Sequence, residues 1–404
     1  MKIKPKNIAV VGQGYVGLPL TLAACGAGHK VYAIDKDLSK INLLVKGVSP
    51  LPEIESDTVK KYVNSGNLLP ILDSSMLANA QIIIVCVPTP VDSNHEPDLS
   101  LLKGAILEIT RYMTKGVILI IESTVAPGTI RDTILPLILK NTNLRLEEFG
   151  LAYSPERIDP GNKNWSIHNT PKLVSAINPA TMHSIVEFYS TFIEQVIQCH
   201  SIEVAETAKL LENSFRLVNI SLINELMKFC DGLGISIFDV ISAASTKPYG
   251  FMKFYPSIGV GGHCIPVDPI YLSDKARLIG SPIKSIELAS EINESIPDYF
   301  AQKIVDSFDS HQGKKILVVG ISYKPNVADT RESASIKLLK KLKFLDFHVY
   351  WHDEVVKVWD GEKSAPLDGD YDLAVVGVVH DNVDLSKLVT SRIIKIGEST
   401  SSIL

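Results

Sequence analysis

Two doubly wound α/β units joined by a long central helix are the architecture this sequence predicts, and three observations predict it. A short apolar run, Ile8-Ala9-Val10-Val11, leads into Gly12-Gln13-Gly14-Tyr15-Val16-Gly17 and then into a helical pattern. The stretch from Ser201 to about Thr246 contains no proline and spaces its apolar residues as a helix does. A second glycine-ended apolar run, Lys315 to Gly320, opens another α/β pattern late in the chain.

In the first part, Val31-Tyr32-Ala33-Ile34 reads as a strand ending in Asp35, and buried-type strands follow at Ile82 to Val87 and Val117 to Ile121. Such continuous β-branched runs belong to a parallel sheet covered on both faces. Residues 1–195 are therefore expected to form one doubly wound domain. The helix that follows carries Ala205, Ala208, Leu211, Phe215, Val218 and Leu222, continuing through Leu226, Phe229, Ile235 and Ile237 past Gly232 and Gly234. Its length leaves apolar surface for a second subunit, so a homodimer or higher homo-oligomer is expected. With the loop-rich stretch from Pro248 to Pro269 and a helix around Ile286 to Ile304, it makes a helical region over 196–300. Strands at Lys315 to Val319, His348 to Tyr350, Leu373 to Val376 and Ile393 to Ile396, with a helix through Ile336, Leu338, Leu339 and Leu342, make 301–404 a second, smaller unit.

A length of 404 residues suits two or three domains. Its 45 acidic and 40 basic side chains leave a net charge of −5 with no long block of either sign, which argues against nucleic acid or an anionic membrane as the main partner. Five widely spaced cysteines without a Cys-x-x-Cys pair suggest reduced thiols rather than a disulfide framework or a zinc site. The apolar runs fall far short of the roughly 20 residues of a membrane helix. The basic start, Met1-Lys2-Ile3-Lys4, enters a strand rather than a signal-peptide core. A cytoplasmic location is expected.

The glycine motif gains meaning from its place between a strand and a helix. Gly12 allows the tight turn, Gly14 lets backbone approach a pyrophosphate, and Gly17 permits close helix packing, with Tyr15 and Val16 in the loop. The helix N-terminus offers amide donors to phosphates. Asp35, 18 residues past Gly17, is placed to accept from a ribose diol and repel a 2′-phosphate. This is a Rossmann-like fingerprint, and the cofactor it implies is NAD rather than NADP. The bland alternative is an ordinary glycine turn with a capping aspartate.

Gly261-Gly262-His263-Cys264 concentrates glycines before a cysteine, where donors could stabilise a thiolate; a buried inert thiol is the competing reading. His263 has no partner at metal-ligand spacing, so no metal is expected. Lys209 and Asn213, four apart, share a helix face and could point an ammonium and an amide at one oxygen, or simply lie in solvent. Glu156, after a strand end and Pro155, is a candidate acid or base, or else pairs with Arg157 or faces water. Thr124 follows a strand at the edge where open α/β sheets bind ligands, or caps the next helix.

Taken together, the ordered motifs resemble the UDP-sugar 6-dehydrogenase family over nearly the whole chain. They are Gly12 to Leu18, Val87-Pro88-Thr89-Pro90, Glu122-Ser123-Thr124, Ser154-Pro155-Glu156-Arg157, Lys209 with Asn213, Gly261 to Cys264, and Tyr323-Lys324-Pro325 followed by Asp329-Thr330-Arg331-Glu332-Ser333. The resemblance implies an N-terminal NAD domain, a dimer-forming helix, a C-terminal UDP-binding domain and four-electron oxidation of a sugar alcohol to a carboxylate with two NAD per turnover. It implies Cys264 as nucleophile, Lys209 and Asn213 as oxyanion stabilisers, Glu156 as acid/base, and Thr124 with Asp268 as groups orienting water and the lysine. Pro88, Thr89, Thr124 and Arg331 would meet the cofactor. Glu156, Arg157, Lys209, Asn213, Phe254, Tyr255, Ser257, Gly261, Tyr323 and Lys324 would meet the UDP-sugar.

Ser154 to Asn162, Asn169-Thr170-Pro171-Lys172 and Ile265 to Pro269 are similar to the UDP-N-acetylglucosamine 6-dehydrogenase branch, whereas Tyr255-Pro256-Ser257-Ile258 departs from the proline- and glycine-rich run of that branch. UDP-N-acetylmannosamine and UDP-glucose are the alternative substrates. The competing functions are a two-electron dehydrogenase of hydroxyacid type, which would leave Cys264 idle, and a nucleotide-binding sensor. The yield of NADH per sugar separates the readings.

Overall fold

The computed structural model describes residues 5–396 apart from 93, 160, 161 and 163. The start Met1 to Lys4, and Pro160 and Gly161 of the branch motif, lie outside the described residues. The chain forms two compact units, one running to Leu211 and taking in Ile270–Lys275, the other built from Glu212–Pro269 and Ala276 onward.

The first unit is built on eight strands: β1 (Asn7–Val11), β2 (Lys30–Ile34), β3 (Leu68–Ile71), β4 (Ile82–Val85), β5 (Ile118–Ile121), β6 (Gly150–Tyr153), β7 (Lys172–Ala176) and β8 (Val196–Gln198). Their order is β3-β2-β1-β4-β5-β6-β7-β8, parallel except where β6 meets β7. The central strands are buried on both faces. Ile8 and Val10 enter one core with Ile82 and Ile84, while Ala9 enters the opposite core with Ile83 and Val85. That double burial is why these strands are continuous apolar runs rather than alternating ones.

Helices α1 (Gly17–Gly26), α2 (Leu38–Val45), α3 (Ser56–Ser65), α4 (Ser100–Thr110), α5 (Leu135–Asn141) and α6 (Pro179–Tyr189) accompany the sheet. The Asp37 side chain caps α2 by accepting from the Ser39 amide, and Asn178 caps α6 ahead of Pro179 at the first turn. The strand order reverses between β1 and β4, so the turns after those strands mark the switch point where ligands bind in open α/β sheets. The strand end expected before Glu156 is β6, whereas β3, β7 and β8 are not among the strands expected from sequence: β3 and β8 are only partly buried at the sheet edges, and β7 includes a lysine and a serine in its run.

The central helix α7 spans Ile202–Leu233, about 48 Å at the α-helical rise. It stops short of the expected Thr246 because Gly234, at φ +68°, takes the left-handed conformation that ends helices. A separate helix α8 (Ile237–Ala244) starts beyond it, capped by Ser236. Val204, Leu211, Phe215, Leu222, Phe229 and Leu233 stand exposed along α7 at intervals of seven and four.

Helices α9 (Asp268–Leu278), α10 (Lys284–Asp306) and α11 (Ala334–Phe344) and strands β9 (Lys315–Val319), β10 (His348–His352), β11 (Val358–Trp359), β12 (Glu362–Lys363), β13 (Leu373–Val376) and β14 (Ile393–Lys395) follow. The parallel sheet of the second unit runs β10-β9-β13-β14. It repeats a device of the first. Asp35, after β2, accepts from the Gln13 amide at 2.7 Å, and Asp353, after β10, accepts from the Ile321 amide at 2.9 Å. In the second unit, however, His380 also binds Asp353 at 2.9 Å and both side chains are fully enclosed, whereas Asp35 keeps 9% of its side chain exposed. Asp353 is thus consumed in holding its own turn.

The glycine turn of the first unit separates structural from ligand constraints. A Cβ on Gly17 would lie 1.8 Å from the Gly12 carbonyl oxygen, while one on Gly14 would meet nothing within 4 Å. Gly17→Ala is expected to destabilise the fold by about 1–3 kcal/mol, read as a lower Tm. Gly14→Ala is expected to melt like the wild type yet bind NAD more weakly in a calorimetric titration.

Candidate active site

The turn after β1 is held open by its neighbours. Gly12 has φ +97°, and a Cβ there would sit 2.6 Å from the Cys86 carbonyl oxygen just past β4. Gln13 is buried: its Nε2 donates to the Val10 carbonyl at 2.9 Å and its Oε1 accepts from Thr21. Tyr15 and Val16 are partly exposed in the turn and Gly17 begins α1, so amides at a helix N-terminus lie beside the open space over Gly14. Asp35 accepts from the Gln13 and Asp37 amides, with the Lys40 ammonium at 3.5 Å. An uncluttered glycine, a helix N-terminus and a carboxylate after β2 fit a dinucleotide with a free ribose diol.

The ends of β4 and β5 lie next to this turn. Ser123 Oγ donates to the Val87 carbonyl at 2.7 Å, tying the Pro88-Thr89 segment to the one that bears Thr124. Thr89 and Thr124 are both partly exposed at these strand ends.

Glu156 follows β6 and sits in a buried ionic cluster that sequence reasoning missed. Arg157 Nη1 donates to the Pro171 carbonyl, and Glu156 Oε2 lies 3.3 Å from Lys172 Nζ. The same ammonium is 3.0 Å from Glu122 Oε2, and the Tyr189 hydroxyl donates to Glu122 Oε1. Glu156 also accepts from the amides of Arg157, at 2.6 Å, and Ile158. Burial pushes the Glu122 carboxyl up to about 7, against the pull of Lys172. Burial acts on Glu156 too, but the Lys172 charge, a hydrogen bond with Glu122 and the two amides outweigh it and hold that carboxyl below its usual range. The available signal was a charged residue at the edge of an apolar run, Glu122 after Ile118–Ile121 and Lys172 before Leu173-Val174.

Helix α7 places Glu206, Lys209 and Asn213 at spacings of three and four, hence on one face. That face is not in solvent. Lys209 is only 9% and Asn213 only 7% exposed, and among the described residues Lys209 has no hydrogen-bond or ion-pair partner. Glu206 is fully buried and accepts from the amides of Gly128 at 2.6 Å and Ile130 at 2.9 Å, gripping the segment that follows Thr124. Burial raises its carboxyl to about 7 despite those two amides.

In the second unit, Asn213 Nδ2 donates to Asp268 Oδ2 at 2.6 Å. Cys264 precedes this aspartate by one turn: the amides of Val267 and Asp268 both donate to its carbonyl, and its Sγ lies 3.3 Å from His263 Nδ1. The thiol is partly exposed rather than locked in the core. The glycines before it are required. A Cβ on Gly262 would meet the Tyr323 ring at 2.9 Å and one on Gly261 the Glu332 carbonyl at 2.8 Å, and the Gly262 amide donates to the Arg331 carbonyl.

The Arg331 guanidinium lies along Asp329, with Nε at 2.9 and 3.0 Å from the two carboxylate oxygens. The Lys324 carbonyl accepts from Ser322 Oγ. Phe254 meets Phe215 edge-on and Tyr255 stacks on Phe238, so part of each ring packs on α7 and α8. The Ser257 amide donates to Asn224 Oδ1 at 2.9 Å; Asn224 is fully buried on α7 and was not anticipated from sequence.

A dinucleotide turn in one unit and a glycine-flanked cysteine beside an Asn–Asp pair in the other define a dehydrogenase of the Rossmann type. Residues 6–193 match the NAD binding domain, 203–295 the central domain and 317–391 the UDP binding domain of the UDP-glucose/GDP-mannose dehydrogenase family. The chain is 32% identical to the UDP-N-acetyl-D-glucosamine 6-dehydrogenase of Pseudomonas aeruginosa over 98% of this chain and 95% of that one. It is 33% identical to the UDP-N-acetyl-D-mannosamine dehydrogenase of Methanocaldococcus jannaschii over 87% and 80%. The solved structure of the UDP-D-ManNAc dehydrogenase of Pyrococcus horikoshii superposes with a TM-score of 0.87 at 29% identity, covering 96% of this chain and 95% of that one. The chain belongs to the UDP-glucose/GDP-mannose dehydrogenase family. It is an NAD-dependent oxidoreductase acting on a UDP-sugar. Among the described residues no helix is long and apolar enough to cross a membrane.

The raised Glu206 carboxyl gives a pH test. In the unfolded chain it ionises near 4.3, so its contribution to folding is fully present below that pH and is lost as pH rises through about 7. Glu206→Gln removes this dependence. The Tm of the variant relative to the wild type should therefore increase between pH 5 and pH 8, as differential scanning calorimetry at both pH values would show.

Proposed function

We propose that the chain oxidises the C6 alcohol of UDP-N-acetyl-D-glucosamine to the carboxylate in two successive two-electron steps through a thioester on Cys264. One observation carries this reading: Lys209 and Asn213, each less than a tenth exposed, share one face of α7, and among the described residues the Lys209 ammonium has no counter-charge, which an oxyanion on the reacting carbon would supply. The same chemistry accounts for a partly exposed cysteine on a glycine loop.

NAD, when bound along Gly12, Gly14, Tyr15, Val16, Gly17, Asp35, Pro88, Thr89, Thr124 and Arg331, accepts one hydride at each oxidation. The first oxidation leaves an aldehyde at C6. Cys264 Sγ adds to that carbonyl, and the resulting oxyanion is stabilised by the Lys209 ammonium and the Asn213 amide, which Asp268 orients through the 2.6 Å hydrogen bond. Oxidation of this thiohemiacetal gives the thioester. Glu156 then takes a proton from water, ordered with Thr124, as the water attacks the thioester carbon and the thiolate leaves. Arg157, Phe254, Tyr255, Ser257, Gly261, Tyr323 and Lys324 hold the UDP-sugar. In this reading residues 1–195 serve NAD, 196–300 carry the cysteine loop and the subunit contact, and 301–404 serve UDP. The exposed apolar row on α7 supports a homodimer.

The glucosamine assignment is supported by the Pseudomonas relative, which aligns over nearly the whole chain. A second reading, UDP-N-acetyl-D-mannosamine, is favoured by the archaeal relative and the Pyrococcus structure.

The first test is NADH released per limiting UDP-N-acetylglucosamine, UDP-N-acetylmannosamine or UDP-glucose. Two equivalents are expected with UDP-N-acetylglucosamine, whereas one equivalent would establish a two-electron enzyme that leaves Cys264 idle. Cys264→Ser should abolish the second equivalent; wild-type turnover in that variant rules out the thioester. Glu156→Gln should slow hydrolysis by roughly 10²–10⁴-fold, so that intact-protein mass spectrometry during turnover finds the sugar adduct on Cys264.

A further inference from the structure

The mechanism leaves unused a charge cluster within the first unit. Glu122 lies at the end of β5, Lys172 opens β7 and Tyr189 closes α6, and all three converge near Glu156. Lys172 Nζ sits 3.0 Å from one carboxylate, 3.3 Å from the other and 5.3 Å from the centre of the Tyr189 ring. Side-chain exposure is 5% for Lys172, none for Glu122 and 12% for Glu156. Cys86, after β4, also faces the cluster, and burial holds its thiol far above its usual range. The Ser154 hydroxyl, below Glu156, donates to the Leu173 carbonyl.

Two buried carboxylates and one ammonium carry a net negative charge when all are ionised, so the cluster relaxes by keeping one proton. The proton's location is set by hydrogen bonding. Glu156 has two backbone amides as well as Lys172, whereas among the described residues Glu122 has no backbone donor, and it is the more deeply enclosed. The proton therefore resides on Glu122, and Glu156 carries the charge.

We propose that Lys172, Glu122 and Tyr189 are positioning residues that keep Glu156 ionised and fix its orientation, making it a base rather than an acid in the hydrolytic step. The inference rests on the reading of Glu156 given above. In that step the water oxygen bonds to the thioester carbon, one water proton passes to the Glu156 carboxylate, and the carbon–sulfur bond breaks with the pair leaving on Cys264 as thiolate. The second water proton leaves the product carboxylic acid for solvent. A base that began protonated could not take part.

The experiment is a single-turnover measurement with the full chain, saturating NAD and the UDP-sugar that proves active, following decay of the Cys264 adduct by quenched mass spectrometry from pH 4 to 9. Lys172→Met should move the acid limb of the decay rate upward by about one pH unit or more, a slowing that reaches about tenfold at pH values below both limbs and vanishes toward pH 9. Lys172→Arg should bring the limb back toward the wild-type position. Glu122→Gln, which keeps the shape of the cluster and stays folded if Lys172→Met does not, should remove the inflection near pH 7 that ionisation of Glu122 imposes on the wild-type profile.

An acid limb that stays put in Lys172→Met, an equal shift in Lys172→Arg, or a Glu122→Gln profile superimposable on the wild type overturns the inference. Glu156→Gln run alongside separates the two levels. If that variant accumulates the adduct while the cluster variants behave as wild type, the cluster is merely structural. If it accumulates none, the role of Glu156 as base falls, and this inference with it.

Discussion

A parallel sheet covered on both faces leaves one place for polar chemistry, the carboxyl edge of its strands, and the first unit is organised by that constraint. Ile8, Val10, Ile82 and Ile84 fill one core while Ala9, Ile83 and Val85 fill the other, so no central strand can spare a residue for catalysis along its length. The candidate positions crowd the edge instead: Gly12 after β1, Asp35 after β2, Thr89 after β4, Thr124 after β5 and Glu156 after β6. The close approach of Gly12 to the Cys86 carbonyl brings the β1 and β4 turns together and leaves the space over Gly14 open.

Helix α7 applies a second constraint, the 3.6-residue period. Glu206, Lys209 and Asn213 lie on one face because they are three and four apart, and burial of that face gives each a different task. Glu206 satisfies two backbone amides of the segment after Thr124, and Asn213 is tied to Asp268, which opens α9. Lys209 has no ion-pair partner among the described residues. A helix with only structural duties would place leucines there.

The Glu122–Lys172–Glu156 cluster is poor evidence for stability, since desolvating an ion pair can cancel its attraction. Its composition is better understood as control of charge. Two carboxylates around one ammonium settle which of them holds a proton, and the backbone amides of Arg157 and Ile158 bias the answer. The second unit contrasts with this economy. Asp353 spends its oxygens on its own turn and on His380, so the same position in a related fold serves architecture alone.

The sequence by itself determined the architecture and much of the site's inventory. Glycine spacing after a strand, β-branched runs and a proline-free amphipathic stretch are local signals, and they reported the dinucleotide turn, the parallel sheets and the central helix. Lys209, Asn213, Glu156 and Cys264 were visible as candidates because their motifs are contiguous or one helical turn long. What only the tertiary structure decided was which groups those candidates face. That Glu156 pairs with Lys172, that Glu206 grips the segment beyond Thr124, and that Asn224 supports Ser257 all depend on residues brought together from 16 to 78 positions apart. Periodicity reads a residue's side of its own element; the charge and hydrogen bonds it meets there come from other elements, and only packing supplies them.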